Sequence, residues 1–271
     1  MTLVRAISAE LRKLFSTRMW WALGLILFGY VAFTASVLAF VFGAMGEQLA
    51  EAGQPAPTDL APVIYSIAST IGYVFPVLLG ALVTTAEFRH QTLTPTFLAT
   101  PKRGNVLGAK ALVMLVAGAL FGVIGLVGSM GTGSPILGLT GLDTELGSAD
   151  TWALAGRVVI AMALWAVIGV GLGALIPSQV AAIVVVIAFT QFLEPILRLA
   201  PTVAEWTGDI VKFLPGAASD ALVGASFYSS IAGSAGATVS LDWWQGGLVL
   251  AGIAVVLLGI GSLTTWRKDV T

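Results

Sequence analysis

The stretch TTAEFRHQTLTPTFLATPKRGNVLGAK, Thr84 to Lys110, is charged where its surroundings are not. It holds Glu87, Arg89, His90, Lys102, Arg103 and Lys110, and His90 is the single histidine of the chain. The runs on either side, Ala61–Thr85 and Val106–Ser129, are each long enough to cross a hydrocarbon core, which takes about 20 apolar residues. A polar loop held between two such runs marks an integral membrane protein. Composition agrees: of 271 residues 57% are hydrophobic and only 10% charged, with a mean hydropathy of +0.96. A soluble domain carries about 25% charged residues. There is no cysteine, so disulfide and thiolate chemistry are excluded.

Four more segments qualify as spans: Trp20–Gly43, Trp152–Ile176, Val180–Leu199 and Trp244–Trp266. The expected fold is all-α, a single transmembrane domain over residues 1–271 with six spans. Pro177 and Ser178 divide the fourth span from the fifth as a tight hairpin, and Pro76 should kink the second. Gly118–Gly122 and Gly169–Gly173 have the spacing of close helix packing. With 32 glycines in the chain, chance matches are also expected.

Charge sets the expected orientation. Arg5, Arg12, Lys13, Arg18, Arg89, Lys102, Arg103, Lys110, Arg267 and Lys268 fall at the termini and in the charged loop; Arg157, Arg198 and Lys212 fall on the other side. Of the acids only Glu10, Glu87 and Asp269 lie with the basic set. Basic residues near short loops stay cytoplasmic, so both termini and residues 86–105 are expected in the cytoplasm of a multi-pass plasma-membrane protein. Seven of the tryptophans sit at expected interfaces, Trp266 among them, while Trp165 alone is mid-span.

Residues 1–18 read as an amphipathic interfacial helix, with Leu3, Val4, Ile7, Leu11, Leu14 and Phe15 on one face. Residues 44–60 and 130–150 read as short acidic external segments rich in Gly and Pro. Residues 200–243 include FLPGAASDALVGASFYSSIAG (213–233), apolar but too short to cross and return, and read as an external re-entrant segment.

Catalytic chemistry is absent. GNVLGAKA, Gly104 to Ala111, lacks the spacing and the final Ser or Thr of a phosphate-binding loop, and Lys110 is expected to snorkel to the interface. A lone histidine cannot form a metalloprotease site, and there is no G-x-S-x-G elbow. The chain is not expected to be an enzyme or to bind a cofactor, and nucleic acid is not an expected partner. Ion-coupled transport calls for ionisable groups inside the membrane. Glu194 and Arg198 are the candidates, but Glu194 lies about 24 Å along the fifth span at 1.5 Å per residue. They are expected as an i, i+4 ion pair near the external edge.

The charged loop is about twenty residues long, beyond the 2–8 usual between packed helices. Ala86–Leu93 can continue as helix, Pro95 is expected to break it, and Phe97 and Leu98 present apolar side chains. Such a segment suits docking into another protein.

At this point the sequence resembles the small permease subunits of type 2 ABC exporters. The resemblance lies in ELRKLFSTRMWW, Glu10–Trp21, entering the first span, and in the motif Glu87, Phe88, Arg89, Thr92, Leu98, Ala99, Pro101, Lys102, Arg103 and Lys110. The family often has Gly before the Thr, where this chain has Gln91. The resemblance implies that two copies of a separate cytoplasmic ATPase, which binds the ATP and Mg, drive a pair of permeases, the second copy identical or a paralogue. It implies that the loop after the second span is the coupling helix, with Glu87, Phe88, Arg89, Thr92, Phe97, Leu98, Pro101 and Arg103 at the contact. Glu87 is expected to pair with Arg12, Lys13 or an Arg of the ATPase. The implied path runs between spans one, two and five, with Tyr65, Tyr73, Phe75, Phe189, Thr190 and Gln191 as possible lining. That lining fits export of an amphiphilic drug, a peptide antibiotic or a lipid. An ion-coupled secondary transporter and a non-transporting scaffold or sensor subunit are the alternatives.

Overall fold

A computed structural model describes residues 3–51, 60–99, 103–202, 204–225, 241–264 and 266. These residues form helices and no strand. Six helical stretches are long and apolar enough to cross a membrane: Met19–Gly46, Leu60–Arg89, Arg103–Leu139, Ala149–Leu175, Gln179–Arg198 and Trp243–Leu263. They match the six expected spans. The elements are α1 (Leu3–Ser16), α2 (Met19–Glu51), α3 (Leu60–Thr70), α4 (Val74–Arg89), α5 (Leu93–Ala99), α6 (Arg103–Leu139) and α7 (Ala149–Leu175). They continue as α8 (Gln179–Ile187), α9 (Glu194–Arg198), α10 (Gly208–Val211), α11 (Pro215–Val223) and α12 (Trp243–Leu263).

Spans two and four are the most enclosed, and spans one, five and six sit around them with most of their surface outward. Little polar surface is available to hold them together, so backbone approach matters. A side chain at Gly118 would meet the Met162 carbonyl of α7, and one at Gly122 the Val159 backbone. One at Gly169 would meet the Val77 carbonyl of α4, and one at Gly173 that of Ala81. Both glycine pairs therefore lie in real interfaces, α6 on α7 and α4 on α7, as close helix approach requires.

Span two is broken at Ile71–Tyr73. Pro76 has no N–H to give the Gly72 carbonyl four residues back, and that carbonyl accepts from Phe75 instead, at 3.1 Å. The expected kink is thus a full break, one turn before the proline.

The segment 130–150 differs from its expected form. The third span continues to Leu139 through Gly131, Gly133 and Pro135. Leu137 is fully buried, and Gly133 packs on Ile64 of α3. Burial against a neighbour thus overrides the weak helix preference of Gly and Pro. The non-helical link shrinks to Thr140–Ser148, and α7 then opens on a Ser148 cap that accepts from the Asp150 N–H at 3.2 Å. α2 likewise runs to Glu51. The 176–178 hairpin is as tight as expected, with the Ser178 hydroxyl accepting from the Ala181 N–H.

α11 is buried along Gly216, Ala218, Ser219, Leu222 and Val223 and ends at Gly224, whose φ of 88° is left-handed. It packs on α12 and α7. Residues 226–240, which carry the return limb of the expected re-entrant segment, lie outside the described residues, as do 52–59.

Gly169→Val forces two backbones apart. Overpacking of this kind costs about 1–3 kcal/mol, so the variant should melt well below wild type in detergent. Gly156→Val, where a Cβ meets nothing, should leave the melting temperature unchanged.

Candidate functional site

The charged loop is anchored by a buried ion-pair cluster. α1 turns Ala6, Glu10 and Leu14 inward, one residue per turn, against α6. Glu10 thus lies in the stripe that buries the helix. Glu87 sits in the last turn of α4 and Lys110 in the second turn of α6, both buried. The Lys110 ammonium donates to Glu10 Oε2 at 2.5 Å and to Glu87 Oε1 at 3.1 Å. Lys13 donates to Glu10 Oε1 at 2.7 Å and to Glu87 Oε1 at 2.8 Å. Two acids and two bases balance, and each carboxylate touches both ammonium groups. Glu87 Oε2 is buried with no hydrogen-bond partner among the described residues.

Burial alone would raise the Glu10 carboxyl, but Lys110, and after it Lys13, outweigh this and hold it below its ordinary value of 4.5. Burial alone would lower Lys13; Glu87 and Glu10 hold it above 10.5. Glu10 therefore stabilises the fold above its ordinary value, and that contribution is lost as pH falls through its lowered folded-state value. The contribution of Lys13 is lost only as pH rises through its raised value.

This cluster answers two expectations. Glu87 pairs with Lys13, one of the bases expected for it, and with Lys110 as well. Lys110 does not snorkel: its side chain is 1% exposed, because two carboxylates meet it inside the bundle and remove the reason to reach for water.

Beyond Glu87 the loop is two short helical pieces, not one. The Thr92 N–H donates to the Glu87 carbonyl and the Gln91 N–H to that of Phe88, with Gln91 at φ 53°. That is the left-handed helix stop usually filled by glycine, held here by Gln91. Pro95 does not break the helix. It lies in the first turn of α5, where its missing N–H has no partner to lose.

Leu93 is buried, and Phe97, one turn on, packs edge-on against Trp266 at 5.7 Å. Phe88 does the same at 5.8 Å, and the Arg103 guanidinium lies over the Phe97 ring at 4.8 Å. Trp266 donates its indole N–H to the Arg103 carbonyl, and Arg103 donates to the Trp266 carbonyl, both at 3.2 Å. Trp266 is therefore the buried seat of the loop, not part of an interfacial belt. Phe97 faces inward, while Leu98 stands 80% exposed beside exposed Thr94 and Pro95. Arg89 donates to Gln179 at the start of α8 at 2.9 Å, and Thr92 is exposed. Pro101 lies outside the described residues.

The expected path residues fall in three places. Tyr65 is fully buried and donates to the Thr144 carbonyl, stitching span two to the 140–148 link. Phe75 meets Tyr30 of α2 at 6.2 Å. Tyr73, Thr190 and Gln191 line one small cavity between spans two and five, and Phe189 does not. Here span five widens into a π-helix, Ala188–Leu193, just before Pro195. Pro195 has no N–H to reach back to Thr190, and the freed Thr190 carbonyl accepts from the Tyr73 hydroxyl at 3.1 Å. The Tyr73 ring stacks on Trp165 at 4.4 Å, and the Trp165 indole donates to Ser219 at 3.0 Å. Those partners explain the one mid-span tryptophan.

Glu194 and Arg198 form the expected i, i+4 pair, but it is buried and joined by a third group. Arg198 donates to Asp220 of α11 at 2.7 Å and to Glu194 at 3.3 Å, and the Gly216 N–H also donates to Glu194. Packing of α11 over the pair takes it out of the interface. No protein-family model matches the chain, and no curated protein matches it.

Three groups that hold the loop were not singled out from the sequence: Glu10, Trp266 and Leu93. Glu10 had a signal, a lone acid about one helical turn from both Ala6 and Leu14 in a basic helix. The roles of Trp266 and Leu93 had none, because they depend on which segments meet.

Replacing Lys110 by Ala leaves two buried carboxylates to share the half-exposed Lys13 alone, and removing a buried partner in this way costs about 3–5 kcal/mol. Lys13 is 43% exposed, and the loss of such a pair costs at most about 1 kcal/mol. Thermal unfolding in detergent should therefore drop several-fold further for Lys110→Ala than for Lys13→Ala.

Proposed function

We propose that the chain is the membrane-spanning permease subunit of an ATP-driven exporter, worked by a separate cytoplasmic ATPase. The observation that carries this reading is the ion-pair cluster at the root of an outward-facing short helix. Glu10, Lys13, Glu87 and Lys110 tie α1, α4 and α6 together where the loop that carries α5 begins. A force applied to α5 enters three helices at once, two of them in spans.

The exposed surface of α5 and of the turn before it is mixed: Leu98 and Pro95 are apolar, and Thr94, Gln91 and His90 are polar. Such a face suits a protein groove better than lipid. The reading takes ATP and Mg from the partner, since the sequence has no phosphate-binding loop. It places two ATPase copies beneath two permease copies, identical or paralogous. Amphipathic α1 lies along the cytoplasmic interface, and α11 forms the first limb of an external re-entrant segment. The cargo in this reading is an amphiphilic drug, a peptide antibiotic or a lipid, moved between spans one, two and five.

Phe97 and Leu98 have separate parts in this reading. Phe97 holds α5 on Trp266, and Leu98 is the apolar anchor offered to the ATPase. An apolar hot spot in an interface core is worth 2 kcal/mol or more. Leu98→Ala should weaken co-purification of the ATPase at least about tenfold while leaving the melting temperature of the permease unchanged. Phe97→Ala should lower the melting temperature and the co-purification together. Full retention of the ATPase and of transport by Leu98→Ala overturns docking through α5.

The reading also fixes orientation, with α1, α5 and Trp266 in the cytoplasm. Asp143 and His90 are exposed at opposite ends of the bundle. In intact cells Asp143→Cys should react with an impermeant thiol reagent and His90→Cys should not. The opposite pattern inverts the topology and removes a cytoplasmic ATPase from reach.

A further inference from the structure

α1 presents three different faces. Ala6, Glu10 and Leu14 are buried, against α6. Val4 and Phe15 are 71% and 53% exposed, with half-buried Leu11 between them. At about 100° per residue these three fall within about 40° of one another. Arg5 and Arg12 form the third face, about 20° apart around the helix and about 10 Å apart along it. Both residues are exposed, and neither guanidinium has a hydrogen-bond or ion-pair partner among the described residues. Glu10, the only acid of the helix, is turned away from them and into the cluster with Lys110.

What lies against the two outward faces follows from how α1 joins the bundle. Only Thr17 and Arg18 separate it from Met19, where span one begins. Phe15 packs edge-on against Trp20 of α2 at 5.1 Å. The apolar stripe thus runs on into the outer surface of span one, where Trp21, Leu25 and Phe28 are exposed. The buried face is held at Lys110, in the second turn of span three, at the same end of the bundle. α1 is therefore kept at the membrane edge, with its apolar stripe toward the acyl chains. The arginine face lies about 90° round from that stripe and about 150° from the buried face. It stands at headgroup depth, on the side away from the bundle. Unpaired positive charges there attract anionic lipid, and most strongly within a Debye length of the surface.

We infer that α1 is a binding site for anionic phospholipid. Arg5 and Arg12 take the headgroup phosphates, while Val4, Leu11 and Phe15 lie among the acyl chains. A zwitterionic headgroup brings its own ammonium, which offsets the attraction, so the site selects lipids of net negative charge. It rests on the interfacial placement of α1 in the reading above and requires no ATPase.

The test uses the full chain alone, in mixed micelles of detergent and phosphatidylcholine, with thermal unfolding followed as phosphatidylglycerol is added. A saturable rise in melting temperature is expected, smaller at high salt because the charges are exposed. Arg5→Gln and Arg12→Gln should each raise the half-saturating phosphatidylglycerol about fivefold. Arg5→Lys with Arg12→Lys should keep most of the response, and Lys212→Gln, at the other end of the bundle, should leave it unchanged. Placement is read separately, from Val4→Cys labelled with a nitrobenzoxadiazole dye in phosphatidylcholine nanodiscs. Quenching by lipids spin-labelled on the acyl chain is expected. Quenching without a phosphatidylglycerol response overturns the headgroup site and leaves α1 at the interface. So does a response that the Arg5→Gln, Arg12→Gln double variant retains in full. Absence of quenching overturns the placement, and the site with it. An equal rise with inorganic phosphate alone assigns a soluble anion and overturns the lipid.

Discussion

Lys110 is the constraint on which the charged end of the bundle depends. An ammonium group cannot stand unpaired in an apolar interior, so its position in the second turn of α6 obliges two carboxylates to come to it. One comes from α1 and one from the end of α4. Three helices are fixed by one charge, and the loop between α4 and α6 is fixed with them. Had Lys110 reached solvent, as the long stem of a lysine usually allows, α1 would be a loosely held surface helix. Glu87 would then keep only its pair with Lys13.

The cluster works together with a second, apolar seat. Trp266, at the end of the last span, receives Phe88 and Phe97 edge-on and exchanges hydrogen bonds with Arg103. The ion pairs hold the root of the loop and the indole holds its tip. A loop of this length would otherwise carry a large ordering cost. Held at both points, it presents Leu98 outward without further ordering.

The spans were legible in the sequence because each is an uninterrupted apolar run, and six such runs leave few alternatives. The pairing of Glu87 with Lys13 was legible too, because the acids on that side are so few. What was not legible depended on which segments meet. Pro95 reads as a breaker until it is known to fall in a first turn, where its missing N–H costs nothing. Leu137 reads as part of a Gly- and Pro-rich link until α2 and α3 are known to hold the third span in helix beyond Ser129. Glu194 and Arg198 read correctly as a pair, yet their burial comes from α11, a segment too irregular to place by periodicity. Pro195 carried a readable signal, since a proline within a span frees a carbonyl that some neighbour must satisfy. The neighbour, Tyr73, is 117 positions away.

The two polar constructions sit on one stiff element. α4 runs from Val74 to Arg89, with Glu87 in its last turn and Tyr73 just before its first. At 1.5 Å per residue that is about 24 Å of helix. The break at Ile71–Tyr73 frees α4 from α3, while Gly80, under the Ala166 carbonyl, keeps it in close contact with α7. A displacement applied at Glu87 therefore reaches Tyr73 with little loss, and α3 need not follow. At Tyr73 it meets the Thr190 carbonyl in the widened turn of span five, a turn already lacking one backbone bond because of Pro195. This contact lies at the wall of the cavity that Thr70 and Glu194 also line.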